Sequence, residues 1–201
     1  LSNYASATGQ SSSRSSISDS NALIWKQGIM GQGHVIGMGD SGIDVDSCFF
    51  RESKSSAPEI SGCNLTRHKI ACYFTSSQAS PGDSSTAFGG GHGTLVAGIL
   101  AGLHTSILKA DSDWNISYSD IMADTSIPNG MAPLAKISMN DIGSSDGALF
   151  SPADLVKATY FSDPYNLGQV RIHSNSWGCD KHDRGRARDC NAYDSQARSV
   201  D

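Results

Sequence analysis

No run of 18 or more apolar residues occurs in the sequence, so no membrane-spanning helix is expected. Basic residues are also scarce: 15 Lys and Arg stand against 20 Asp and Glu, for a formal net charge of −5. That balance offers no electrostatic footprint for nucleic acid or an anionic membrane surface. The densest basic stretch, Lys181 to Arg188, is interrupted by Asp183 and followed by Asp189, and reads as a solvated loop. After Leu1 no charged segment leads into an apolar one, so no secretory leader is visible. The expectation is a chain that starts inside a precursor, or after one has been trimmed.

Cysteine is present in an odd number, five, at positions 48, 63, 72, 179 and 190. At least one is therefore unpaired or bonded outside the segment. Cys179 and Cys190 bracket a polar loop, a spacing that suits a loop-closing disulfide in an oxidising compartment; the pairing of Cys48, Cys63 and Cys72 stays open. Two acceptor sequons, Asn64-Leu65-Thr66 and Asn115-Ile116-Ser117, fit the same compartment. The expected location is secreted or lumenal.

A chain of 201 residues can bury one sizeable core. Residues 1–16 are mostly Ser, Ala, Asn and Gly; they bury too little to offset their ordering entropy and read as a flexible tail. Residues 17–201 read as one domain portion. A short helical segment, Ala22 to Trp25, leads through glycine turns into an apolar strand over 34–39 that delivers Asp40 at its carboxyl end. The region 51–90 is polar and loop-rich, with a single strand candidate at Lys69 to Phe74. A helix is expected over 93–103, opened by His92, with Leu95, Val96, Ile99 and Leu100 as its apolar stripe. Further on come a strand over 135–140, a helix over 152–160 capped by Ser151, a buried strand over 170–174, and a helix over 194–201. Strands alternating with helices predict an α/β protein with a mainly parallel sheet. Chemistry in such sheets gathers beyond the carboxyl ends of strands, where Asp40 and Ser176 to Gly178 fall.

Alone, a carboxylate after a strand serves as readily to cap a turn, here through Ser41 and Gly42. A histidine at a helix start suits a general base, because the dipole disfavours an added positive charge; alone it is as easily structural. Local motifs point in several directions. Gly39-Asp40-Ser41-Gly42 imitates a chymotrypsin-type serine box, but there the histidine precedes the aspartate and here it follows. Gly143-Ser144-Ser145-Asp146-Gly147 matches a hydrolase elbow, yet residues 148–152 intervene before any helix. The glycines of 31, 33 and 37 precede their strand, the wrong order for a dinucleotide fingerprint. Cys179, His182 and Cys190 match no strong zinc spacing.

Read in order, the motifs take on a different meaning. Gly37-Met38-Gly39-Asp40-Ser41-Gly42-Ile43-Asp44 and Gly91-His92-Gly93-Thr94-Leu95-Val96-Ala97-Gly98 resemble the aspartate and histidine boxes of the subtilases. Trp25, Gly28, Gly31 and Gly33 resemble the lead-in to that family's first core strand. Gly130-Met131-Ala132-Pro133 resembles its Gly-x-Ala-Pro turn, and Ile172 to Gly178 its substrate-binding strand, in the style of the oxidatively stable alkaline protease branch. The resemblance runs from about residue 20 to the end. It implies a three-layer subtilisin-like α/β fold, incomplete at its C-terminal end, and a serine endopeptidase with an Asp-His-Ser triad. Asp40 would orient His92, and His92 would act as the base. Ser41 is placed to donate to Asp40 as a supporting residue, with Thr94 beside it; Gly93, Ala97 and Gly98 would let the helix approach the sheet. Ser176, Trp177 and Gly178 would pair with an extended polypeptide substrate by strand addition. The chemistry calls for no cofactor and no catalytic metal; structural calcium is common in the family, but no ligand set here is diagnostic.

The sequence also departs from the family. Neither the Gly-Thr-Ser-x-Ala-x-Pro serine box nor the Ala-Gly-Asn oxyanion stretch occurs in it. The expectation is that both lie beyond Asp201 and that this chain alone is inactive. Leu95 stands where many members have histidine, and the segment between Asp40 and His92 is long for the family. The alternative reading is a non-catalytic subtilase-like module that binds peptides or serves as a scaffold.

Overall fold

The apolar stretch after the Gly31 and Gly33 turns forms strand β1, Val35–Asp40, and the architecture is organised around it. The computed structural model describes residues 23–58, 60, 62–76, 82–83, 91–111, 113–123, 129–144, 149, 155, 159–178 and 197–198. Four further strands follow: β2 (Gly62–Cys63), β3 (Ile70–Thr75), β4 (Lys136–Asp141) and β5 (Ile172–Asn175). They form one sheet in the order β2-β3-β4-β1-β5. Strands β3, β4, β1 and β5 are parallel, and β2 pairs antiparallel with β3. The helices are α1 (Leu23–Lys26), α2 (His92–Ala101), α3 (Tyr118–Met122) and α4 (Ser162–Gly168). The protein is thus α/β with a mainly parallel sheet.

Alternation along the strands assigns the two faces. Met38, Ile137, Met139, Ile70 and Tyr73 pack with Ala97 and Ala101 of α2 in the main core. Full burial of each large apolar side chain contributes about 1.5–3 kcal/mol. The other face of β1 is glycine, and the reason is visible. A Cβ on Gly39 would lie 1.4 Å from the Tyr160 hydroxyl, and one on Gly37 would lie 2.4 Å from the His173 ring. Gly168 of α4 approaches Cys72 and Ser138 on that same face. Helices on opposite faces make three layers.

Helix α2 docks through Gly93, Ala97 and Ala101, and of the expected stripe Val96 and Leu100 pack against the same core. Leu95 is 58% exposed, while Val96, Ile99 and Leu100 are only partly buried. Small residues at i, i+4 and i+8 bring the helix axis close to the sheet, and large ones at the seam would push it away. The carboxyl end of α2 is held by Lys69, which is 1% exposed. Its Nζ donates to the carbonyls of Ala101, Pro133 (2.8 Å) and Ala135 (2.9 Å).

Other expectations need correction. The strand over 170–174 was expected to be buried, but β5 lies at the sheet edge and Ile172 is 71% exposed. Among the described residues β5 pairs only with β1. Region 51–90 holds a second strand, the two-residue β2, too short to carry a periodicity signal. It lies directly opposite β3, where Cys63 and Cys72 form a disulfide; Cys48 is free. Of the helix expected over 152–160, the described residues Leu155, Thr159 and Tyr160 lie in turns, and Thr159 has φ 54°. Helix α4 instead starts at Ser162 and carries Pro164 in its first turn, where a missing N–H costs nothing. The tail over 1–16, the Cys179–Cys190 pairing, the zinc alternative with His182, and nearly all of the 194–201 helix lie outside the described residues. Among the described residues no helix is long and apolar enough to cross a membrane. None of their His, Cys, Asp and Glu side chains form a group of three or more that could hold a metal.

Candidate active site

Asp40 ends β1 and sits level with Asp141 at the end of β4. Its side chain is buried, and Oδ1 accepts hydrogen bonds from Ser41 N (2.8 Å) and His92 Nδ1 (2.8 Å). The His92 side chain is 43% exposed. Because Nδ1–H donates to the carboxylate, the tautomer is set and the Nε2 lone pair is free to accept a proton. This places a buried acid behind a half-exposed imidazole at the carboxyl edge of a parallel sheet.

Close backbone contacts bring the two side chains together. Gly42, at φ 111°, turns the chain out of β1, and a Cβ there would lie 2.1 Å from Gly82 O. A Cβ on Gly93 would lie 2.1 Å from Gly42 O. The first turn of α2 therefore stacks on the turn after Asp40 at a distance only glycine permits. Gly91, the helix N-cap, contributes no side-chain bond. Ser41 and Asp83 supply the missing acceptors: Gly93 N donates to Ser41 Oγ (2.9 Å), and Thr94 N donates to Asp83 Oδ2 (2.8 Å).

Ser41 was expected to donate to Asp40, and it does so through its backbone N–H and not its hydroxyl. That hydroxyl instead donates to Asp83 Oδ1 (2.9 Å). Thr94 lies in the same network. Its Oγ1 accepts from Asp44 N (2.9 Å) and donates to Asp83 Oδ2 (2.5 Å). Gly98, expected to ease the approach to the sheet, meets nothing within 4 Å at its Cβ position; Gly93 and Ala97 are the residues that do this.

Ser176, Trp177 and Gly178 follow β5, whose Asn175 pairs in register with Gly39, one residue before Asp40. Ser176 and Gly178 are exposed. Trp177 is half-buried, edge-on to Tyr160, in a small cluster with Ile142, Leu155 and Phe161. Tyr160 donates to Asn175 Oδ1 (2.8 Å). Burial pushes its phenol up, and the Asp40 charge adds to the rise. Burial also raises the Asp141 carboxyl to about 6, against the hydrogen bond it accepts from Tyr73 (2.6 Å).

Sequence reasoning missed Asp83. It lies nine residues before His92 in a stretch without periodicity, and no local spacing marks it. Tyr160 was assigned to a helix, with no hint that its hydroxyl fills the space beside Gly39.

The sequence profile of the subtilase family matches residues 31–200, and the chain belongs to that family. It is 29% identical over 150 residues to the serine protease/ABC transporter B family protein tagB of Dictyostelium discoideum, covering 75% of this chain. The tagD protein of the same organism is 29% identical over 152 residues, again 75% of the chain, and tagA is 27% identical over 163 residues, 81% of it. The chain spans only 7% of the length of tagB and tagD and 8% of tagA.

Proposed function

We propose that the protein to which this chain belongs is a serine endopeptidase, and that Asp40 and His92 are the acid and base of its triad. The observation that carries this reading is the 2.8 Å bond from His92 Nδ1 to buried Asp40 Oδ1, with the rest of the imidazole facing solvent. In the proposed reaction His92 Nε2 takes the proton of a serine hydroxyl as the oxygen attacks the scissile carbonyl. Asp40 stabilises the imidazolium so formed, and His92 then returns the proton to the leaving amine. The 201 residues contain no serine box; the nucleophile is proposed to come from polypeptide outside them, leaving this chain alone inactive. The chemistry needs no cofactor.

The proposed substrate is a polypeptide in extended form, laid along Ser176, Trp177 and Gly178 by strand addition. Support comes from the position of β5, whose Asn175 pairs with Gly39, the residue before Asp40. The proposed location is secreted or lumenal, supported by the Cys63–Cys72 disulfide and by the exposed sequon residues Asn64 and Asn115. The absent serine box leaves a second reading, a peptide-binding module without turnover.

A fluorophosphonate probe applied to the folded full-length protein decides between them. The protease labels covalently and cleaves peptides, and His92→Ala lowers kcat by roughly 10⁴-fold or more. A folded full-length protein that binds peptides but never labels would refute the protease.

A further inference from the structure

We infer that Asp83 is a positioning residue for the Asp40–His92 pair, acting through the chain neighbours of both. This inference rests on the protease reading above. Its carboxylate receives four donors. Ser41 Oγ (2.9 Å) and Gly91 N (3.2 Å) reach Oδ1, and Thr94 N (2.8 Å) and Thr94 Oγ1 (2.5 Å) reach Oδ2. Ser41 directly follows Asp40, and Gly91 directly precedes His92. One side chain therefore holds the residue after the acid and the residue before the base.

A role limited to capping α2 does not account for this arrangement. A local Ser or Asp at position 91 would cap the helix more simply, but that position is glycine at φ 79°. A carboxylate arriving from another segment can cap α2 and reach Ser41 at once. Ser41 completes the link, accepting from Gly93 N while its own backbone N–H holds Asp40. The clamp is itself anchored in the sheet. Gly82 N donates to the Tyr73 hydroxyl (3.0 Å), which donates to Asp141 on β4. The glycine contacts at 42 and 93 leave the stacked backbones little freedom, so loss of Asp83 is transmitted to the imidazole and not absorbed locally.

Asparagine cannot replace this carboxylate. Each Asp83 oxygen accepts two donors, and an amide NH₂ would set donor against donor. A displacement of about 1 Å at a reacting group costs on the order of 100-fold in rate. In the full-length protein Asp83→Asn is therefore expected to lower kcat by roughly 30-fold or more, with KM within about twofold, because the substrate strand is untouched. Ser41→Ala is expected to lower kcat by roughly fivefold with KM unchanged. The double variant should be no slower than Asp83→Asn alone, as for two parts of one linkage.

The wild type is first labelled with the fluorophosphonate probe, which separates the two claims. No labelling of the folded wild type removes the protease reading. Labelling of the wild type together with Asp83→Asn turnover within threefold of it, or a loss carried by KM, removes the Asp83 inference alone. Should Asp83→Asn fail to fold, Ser41→Ala stands as the test, and its full activity overturns the inference.

Discussion

Replacing Lys69 with methionine removes a buried ammonium whose three N–H groups all point at backbone carbonyls, those of Ala101, Pro133 and Ala135. Ala101 is the last residue of α2, so the charge also complements the negative end of that helix. Methionine matches the stem closely, and the cavity term stays small. What remains is three buried carbonyls without their donor, each costing about 1–3 kcal/mol. Relief of the ammonium's desolvation, several kcal/mol in the other direction, offsets part of that. The expected net loss is about 3–5 kcal/mol, the range seen when one partner of a buried charged contact is removed. The measurement is urea unfolding of the 201-residue chain at about pH 6, where Lys69 is still an ammonium, followed by tryptophan fluorescence, since Trp25 is buried and its indole donates to Met131 O. With a slope of about 2 kcal/mol per M, the midpoint should fall by roughly 1.5–2.5 M. Burial lowers the Lys69 ammonium from 10.5 to about 7. Between those values the unfolded chain holds the proton and the folded chain does not, so this residue makes wild-type stability rise with pH across that window. Lys69→Met should lack this rise. A variant as stable as wild type, with the same pH slope, would show that the carbonyl cradle contributes nothing.

Gly93→Ala puts a Cβ 2.1 Å from Gly42 O. Both partners are backbone, so α2 must shift, at a cost of about 1–3 kcal/mol and roughly 100-fold in full-length activity; unchanged activity would mean that the close contact does not position His92. Non-reducing peptide mapping should return Cys63 linked to Cys72 and Cys48 as a thiol, and treatment of the natively expressed protein with a glycosidase should reduce the mass of the peptide carrying Asn64. Finding both Cys63 and Cys72 free, and Asn64 unmodified, would count against an oxidising, lumenal setting.

The pair at the centre of the site was legible in the sequence because each member lies in a local motif whose spacing has a physical cause. Asp40 follows a short apolar strand with glycine on one face, and His92 opens a helix flanked by glycines that allow close approach. The parallel sheet was legible too, from strands alternating with helices. Which residues of α2 face the sheet was not, since hydrophobicity favours Leu95 while close packing selects Gly93, Ala97 and Ala101. The place of β5 at the edge of the described sheet was likewise hidden, because a strand's sequence does not say how many neighbours it pairs with.

Only the tertiary structure revealed Asp83 and Lys69. Each acts on groups 8 to 66 positions away in the chain, largely through backbone N–H groups and carbonyls that carry no residue identity. The same holds for Ser41, whose motif made it a partner of Asp40 and whose hydroxyl the fold gives to Asp83. By itself the sequence singled out Asp40 and His92 for the proposed roles of acid and base, since those roles need particular functional groups. How the two are held in contact was decided by backbone geometry that no residue name records.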